Sequence, residues 1–304
     1  MTSSMAIAPT PTYTQTKQEF LNSVLNKIGK QEFSNKTYTN PLKRLRGQFI
    51  NGPTDIEEIY VDRVADTGYD KEGSGVLDRV KPTVSVQYHT NTVEHGYKTT
   101  VHNKQMRKGF LNANGLQTMA QAIINSLHTG QELDDYQDCI NTLKALTTAA
   151  KGSKDNIIKV SPVNNEVTSK AFTKAIKKTI HKMKDYSSVY SDKPSFANAN
   201  ELILFMDSDT DVEVEIEHLA SAFNMTIAQL NETSKIIIPD MKKKLGNNTI
   251  AVLAHEKCIK INPCYYDLDS IKNTRGKFVN FDLATETLCS YTTWFPYAII
   301  QETE

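Results

Sequence analysis

No apolar run in this sequence approaches the ~20 residues needed to span a bilayer. The N-terminal MTSSMAIAPTPTYTQT has neither the basic start nor the apolar segment of a secretory signal. Both absences point to a soluble protein made in a cytoplasm. Cysteine is sparse. Cys139, Cys258, Cys264 and Cys289 make no CxxC and have no His-rich motif beside them, which argues against zinc and reads as buried thiols in a reducing compartment. Net charge is missing as well, since 35 Lys and Arg balance 35 Asp and Glu. Without a global field to gather phosphate, a dedicated nucleic-acid binder is disfavoured, although a local basic patch stays open. Neutrality also removes long-range repulsion between copies that must pack together. What remains, 304 residues of which 39% are hydrophobic and 23% charged, suffices for a sizeable core in one or two domains.

Catalytic signatures are scarce too. There is no GxGxxG, Walker loop, HExxH or GxSxG, and no plausible Cys/His nucleophile arrangement. Of the seven histidines, His89, His95 and His102 fall close together, but in a polar hairpin they read as surface residues rather than metal ligands. The most tempting motif is Asp207-Ser208-Asp209-Thr210-Asp211, directly after an apolar strand. An EF-hand loop starting at Asp207 would need Gly and Glu where Val212 and His218 stand, so that reading fails. A metal-dependent glycosyl- or phosphotransferase using Asp207, Asp209 and Asp211 is the rival class, but the nucleotide-binding layer it requires is not evident. An acidic loop that caps a helix from about Val214 is the favoured reading. No metal, cofactor or catalytic residue is assigned.

What the chain does have is structure that cannot cover itself. Phe20, Leu21, Val24, Leu25 and Ile28 line one face of a short helix from Gln18 to about Phe33, with nothing local to shelter them. Asn40-Pro41-Leu42-Lys43-Arg44-Leu45-Arg46-Gly47 reads as an extended basic connector, a solvated surface turn in preference to an arm touching acidic partners or packaged nucleic acid. A strand-rich stretch runs from Ile56 to about Asn103, with Val84, Val86 and Tyr88 in period two and a second run, Tyr97, Thr99 and Val101, after a turn near Glu94-His95-Gly96. A long hairpin of this kind is marginal alone and offers free edges. Leu116 to Leu146 carries a helical pattern that Gly130 interrupts, giving one kinked helix or two in line. Residues 153–264 then alternate strands and helices, and 265–304 return to strands. Lys242-Lys243-Lys244 reads as an exposed turn, and Tyr265-Tyr266 and Trp294-Phe295 as core. Chains of this kind are completed by neighbours.

Several segments resemble one family. Phe20 to Ile28, Asn40-Pro41-Leu42-Lys43, Asp55 to Tyr60, Lys81-Pro82-Thr83-Val84, Tyr88-His89, Tyr97 to Val101, Arg107-Lys108-Gly109-Phe110 and Asp211 to Met225 are similar, in order and spacing, to major capsid proteins of small short-tailed phages. The resemblance implies an α+β architecture, the Hong Kong 97-type capsid fold. Residues 1–50 would form an N-terminal arm and 51–108 an extended E-loop. Residues 109–150 and 265–304 would form a peripheral domain built on a spine helix, and 151–264 an α/β axial domain. Function and partners follow from the same resemblance. The protein would be no enzyme but a virion component that assembles in the host cytoplasm as pentamers and hexamers of an icosahedral shell. That shell would enclose double-stranded DNA through non-specific contacts, with a portal protein at one vertex and no membrane. The arm has no room for a fused scaffold, so a separate scaffolding protein is expected, and there is no space for an appended immunoglobulin-like domain. Interface residues would be Phe20, Leu21, Val24, Leu25 and Ile28 of the arm and, in the E-loop, Arg63, Arg79, Lys81 and Lys98.

Overall fold

The computed structural model of the chain describes residues 37–102 except 53, 67, 70, 72 and 74–78, then 115–150, 155–214, 223 and 235–303; side chains at 102 and 115–120 are also outside the description. The helix expected over 18–33, with all five of its proposed interface residues, lies outside the described residues. In chain order come β1 (Ile56–Val61), β2 (Val84–His89), β3 (Thr92–His102), α1 (Gly115–Ala149), β4 (Ile157–Val160), α2 (Glu166–Met183), β5 (Leu202–Asp207), α3 (Ser208–Glu213), β6 (Lys235–Ile238), α4 (Met241–Leu245), β7 (Thr249–His255), β8 (Ile259–Asn273), β9 (Phe278–Tyr291) and β10 (Tyr297–Glu302).

The strands form three sheets: β1-β2, β3-β9-β8, and a mixed sheet ordered β4-β10-β7-β5-β6. β7 and the first four residues of β10 are buried throughout, as suits central strands with helices on both faces. On one face Phe172, Ile176, Ile180 and Met183 of α2 pack with Leu202, Leu204, Leu253 and Ile300. On the other, Ile140, Leu143 and Leu146 of α1 pack with Phe205, Val252 and Ile299, joined by Met241 and Leu245 of α4. The tail therefore does not all return to one unit. β8 and β9 pair with β3, whereas β10, apolar on both faces, enters the five-stranded sheet between β4 and β7.

α1 is one helix of 35 residues, about 50 Å long at 1.5 Å per residue. Gly130 does not break it. A Cβ there would lie 3.2 Å from the Tyr97 ring, so the glycine marks a close approach between helix and strand. Tyr97 is held in place by a 2.9 Å hydrogen bond from its hydroxyl to Asp134, and His95 meets Asp138 at 2.8 Å. The far half of the same helix supports the five-stranded sheet, so α1 joins the two sheets.

Other expectations shift for local reasons. β3 runs straight through Glu94-His95-Gly96 because its partner is β9 rather than β2. The turn falls at residues 90–91, where Asn91 accepts from Cys289 N and donates to Cys289 O, both at 2.8 Å. The basic connector is not a solvated turn. Leu42 is buried in the core under α1, Lys43 pairs with Glu132 at 3.4 Å, and Arg46 pairs with Asp135. Burial pushes the Asp135 carboxyl up, and Arg46 opposes that. Gly47 N then donates to Ile261 O at 2.7 Å. The lysine triplet is the short helix α4 rather than a turn, closed by Gly246 at φ 78. Tyr265 and Tyr266 are half-exposed on the edge strand β8, so they are not core, whereas Trp294 is buried. Cys139, Cys258 and Cys289 are buried free thiols, and Cys264 is half-buried. Burial pushes the Cys139 and Cys289 thiols up to about 12, which leaves them as packing groups.

The Gly130 contact yields a test. Gly130→Val should destabilise the protein by about 1–3 kcal/mol in urea unfolding, because overpacking against the tethered Tyr97 ring outweighs the gain in helix propensity. Unchanged stability would show that the ring can yield.

Candidate functional site

The β1-β2 hairpin is the part of the fold whose polarity runs the wrong way for an isolated protein. Its register sets Glu57 opposite Tyr88, Ile59 opposite Val86 and Val61 opposite Val84. Residues directly opposite in an antiparallel pair share a face. That face, with Ile59, Val61, Val84, Val86 and Tyr88 between 46% and 65% exposed, points to solvent. The face turned toward the body is mostly polar: Glu58 with Gln87, Tyr60 with Ser85, and His89 with Ile56 beyond.

The inward polar face is anchored group by group. His89 is buried, with Nδ1 2.7 Å from Ser290 Oγ and Nε2 3.0 Å from Glu58. The second Glu58 oxygen accepts from Lys260 Nζ at 3.0 Å. Burial pushes the Glu58 carboxyl up, but the His89 and Lys260 hydrogen bonds outweigh it, and the group titrates below its ordinary range. Gln87 accepts from Thr292 at 3.3 Å. Further out, Tyr60 stacks edge-on against Trp294 with centroids 5.9 Å apart, and its hydroxyl donates to Pro194 O. Lys193 reaches Ser85 Oγ at 2.5 Å. Beyond β1, Asp62, Arg63, Tyr186 and Lys193 line an open cleft of about 680 Å³ beneath the hairpin.

The sequence-chosen residues scatter over this region. Arg63 sits over the Tyr186 ring, 5.9 Å from its centroid, at the mouth of the cleft. Arg79 and Lys81 are exposed on the approach to β2. Lys98 is on β3, outside the hairpin, and pairs with Asp282 of β9 at 3.0 Å. The sequence reading missed Glu58, His89, Lys260 and Ser290, which bring together segments some 200 residues apart. It also placed His89 on the surface. The period-two pattern of Val84, Val86 and Tyr88 was a usable signal for the apolar face, but it does not say which face is covered.

The rival acidic motif is taken apart by the fold. It is not a loop: Asp207 ends β5, and Ser208–Glu213 is α3, earlier than the helix expected from Val214, most of which lies outside the described residues. Asp207 accepts from Met241 N at 2.7 Å, and Asp211 pairs with Lys235. Among the described residues, Asp209 accepts only from the neighbouring Ser208 Oγ, at 3.4 Å. Their carboxylates therefore face different partners. Among the described residues no three His, Cys, Asp or Glu side chains converge as for a metal, and no helix is long and apolar enough to cross a membrane.

Solved structures similar to this chain include chains of phage capsids. The chain superposes on a chain of the Staphylococcus phage Andhra capsid with a TM-score of 0.72 at 10% identity, covering 91% of this chain and 88% of that one. A chain of the mature capsid of bacteriophage PhiM1 gives 0.57 at 11% identity, covering 90% of each. The α+β capsid fold expected from the sequence is borne out. The chain matches the Phi29-like phage major capsid protein family over residues 5–301, and it belongs to that family. It is 25% identical over 276 residues to the major capsid protein of Bacillus phage PZA, covering 87% of this chain and 59% of that protein. To that of Streptococcus phage Cp-1 it is 22% identical, covering 91% and 80%. The chain thus spans about three fifths of the length of the Bacillus-phage relative.

The anchor can be tested through its carboxylate. A depressed carboxyl pKa contributes fully above the ordinary value of about 4.3 and is lost as the pH falls through the depressed one. Hydrogen exchange in β1 and β2, relative to the rest of the chain, should quicken below that point. In Glu58→Gln it should already be about 10-fold or more faster at neutral pH. Equal exchange in the two proteins would show that the hairpin is held elsewhere.

Proposed function

We propose that the subunit assembles as pentamers and hexamers of an icosahedral shell around double-stranded DNA, with the β1-β2 hairpin as its main reach onto a neighbouring copy. The observation that carries this is the hairpin's reversed polarity. Five apolar side chains, Ile59, Val61, Val84, Val86 and Tyr88, face solvent while ionic and polar groups face in. Fully burying one such side chain is worth about 1.5–3 kcal/mol, so a few per contact, repeated around a shell, favour closure without covalent links. A hairpin packed on its own body by water-compatible groups can also change its angle at modest cost, because the polar groups it leaves are hydrated.

On this reading the units follow the strand pairing. The E-loop is the hairpin and its tip, within the expected 51–108 but without β3. The peripheral unit is β3, the near half of α1, β8 and β9. The axial unit is β4 to β7, α2 and β10. Residues 1–50 serve as an arm, and Phe20, Leu21, Val24, Leu25 and Ile28 dock on another copy. Arg63, Arg79 and Lys81 are exposed near the hairpin, where a neighbour could meet them, whereas Lys98 belongs to the sheet surface. A separate scaffolding protein and a portal at one vertex complete the assembly, and the Asp207 to Asp211 segment is structural rather than a transferase centre.

Val86→Glu places a charge opposite Ile59 on the outward face. It should give folded subunits, judged by circular dichroism, that electron microscopy shows unable to close, while Val86→Ile assembles normally. Closed shells from Val86→Glu at the wild-type yield would refute the role given to the hairpin.

A further inference from the structure

The neutral net charge conceals one strongly basic surface. α2 buries Phe172, Ile176, Ile180 and Met183 against the five-stranded sheet and turns Lys174, Lys177, Lys178, His181 and Lys182 to solvent. The lysines recur at intervals of three, four and one, so they crowd a single face. With Lys170 the stripe is about 18 Å long. Its one ion pair among the described residues is Lys170 with Glu166, at the first turn. Along the rest, Lys174-Lys178 and Lys178-Lys182 are like-charge pairs four residues apart, an arrangement that weakens a helix rather than supporting it. The Asn165-Thr168 capping box and the buried apolar face keep the helix formed regardless. A chain with as many carboxylates as cations could have interleaved them here, as it does at Lys98 and Asp282.

We propose that this face of α2 is the subunit's contact with duplex DNA, holding phosphates by charge without reading sequence. The patch stands on the structure alone; its occupant rests on reading the protein as a shell around DNA. Duplex DNA carries one negative charge per ~1.7 Å, so a phosphate row matches a stripe of point-like ammonium charges on flexible stems, and ion release supplies the affinity. An acidic surface of a second copy is the competing occupant. The outer face of the β3-β9-β8 sheet offers Glu94, Asp269, Asp282 and Glu286, but there Lys98 already neutralises part of the charge.

The test is the triple variant Lys174→Gln, Lys178→Gln, Lys182→Gln in the full chain, beside the matching triple Lys→Arg variant. Fluorescence anisotropy with a short duplex, from about 50 to 200 mM salt, reads DNA binding, and electron microscopy reads assembly. The Gln variant should form normal shells, while the slope of log affinity against log salt becomes shallower by up to about 3. The Arg variant should keep the wild-type slope. If the Gln triple fails to fold, Lys178→Gln alone should shift the slope by about 1. An unchanged slope overturns the proposal, and so does lost assembly with unchanged DNA binding, which would assign the helix to an acidic surface of another copy. Wild-type protein that binds DNA through these lysines but never forms shells would sink the shell reading and leave the DNA contact standing.

Discussion

Everything in the subunit is referred to α1. Its middle carries the Gly130-Tyr97, Tyr97-Asp134 and His95-Asp138 contacts to one sheet, and its C-terminal turns fill the core beneath the other with Ile140, Leu143 and Leu146. The connector is strapped to it through Leu42, Lys43 and Arg46. A continuous helix held at its middle and at its C-terminal turns fixes how the two sheets stand. A helix broken at Gly130 would let them swing; the glycine instead brings rod and strand close enough to lock.

Against that frame the hairpin is held through side chains rather than through a shared sheet. Its root depends on Glu58, His89, Lys260 and Ser290, and its middle on Tyr60, Lys193 and Trp294. Apart from the Tyr60-Trp294 ring contact, these are polar contacts that water can replace. Apolar side chains, which water cannot satisfy, are on the outside. On the proposed reading, a rigid body and an adjustable flap suit identical copies that occupy slightly different surroundings in a closed shell. The uneven charge of α2 fits the same division, since it sits on the face of the five-stranded sheet opposite α1.

Much of the architecture was legible in residue patterns. The apolar spacing of Phe172, Ile176, Ile180 and Met183 located α2, and the apolar runs at 202–206 and 250–253 located β5 and β7, because burial on one or both faces leaves a periodic record. The misplaced features share one cause. The turn at 94–96, the break at Gly130 and the core role of Tyr265-Tyr266 were judged from neighbours in sequence, whereas β9, Tyr97 and the open edge of β8 decided them. The site was legible as an alternating pattern at Val84, Val86 and Tyr88. Its anchor was not, because Glu58 and Lys260 are ordinary charged residues until the fold sets them 3.0 Å apart.

The sequence by itself determined where the main buried helices and strands form, the neutral charge, and the kinship with phage shell proteins, since these reside in local periodicity and ordered motifs. Only the tertiary structure decided that β10 belongs to the five-stranded sheet, that His89 is buried, and that the hairpin's apolar face looks outward. Period two assigns residues to one of two faces, but which face meets the body depends on where a strand lies relative to segments 200 residues away, and no local pattern encodes that.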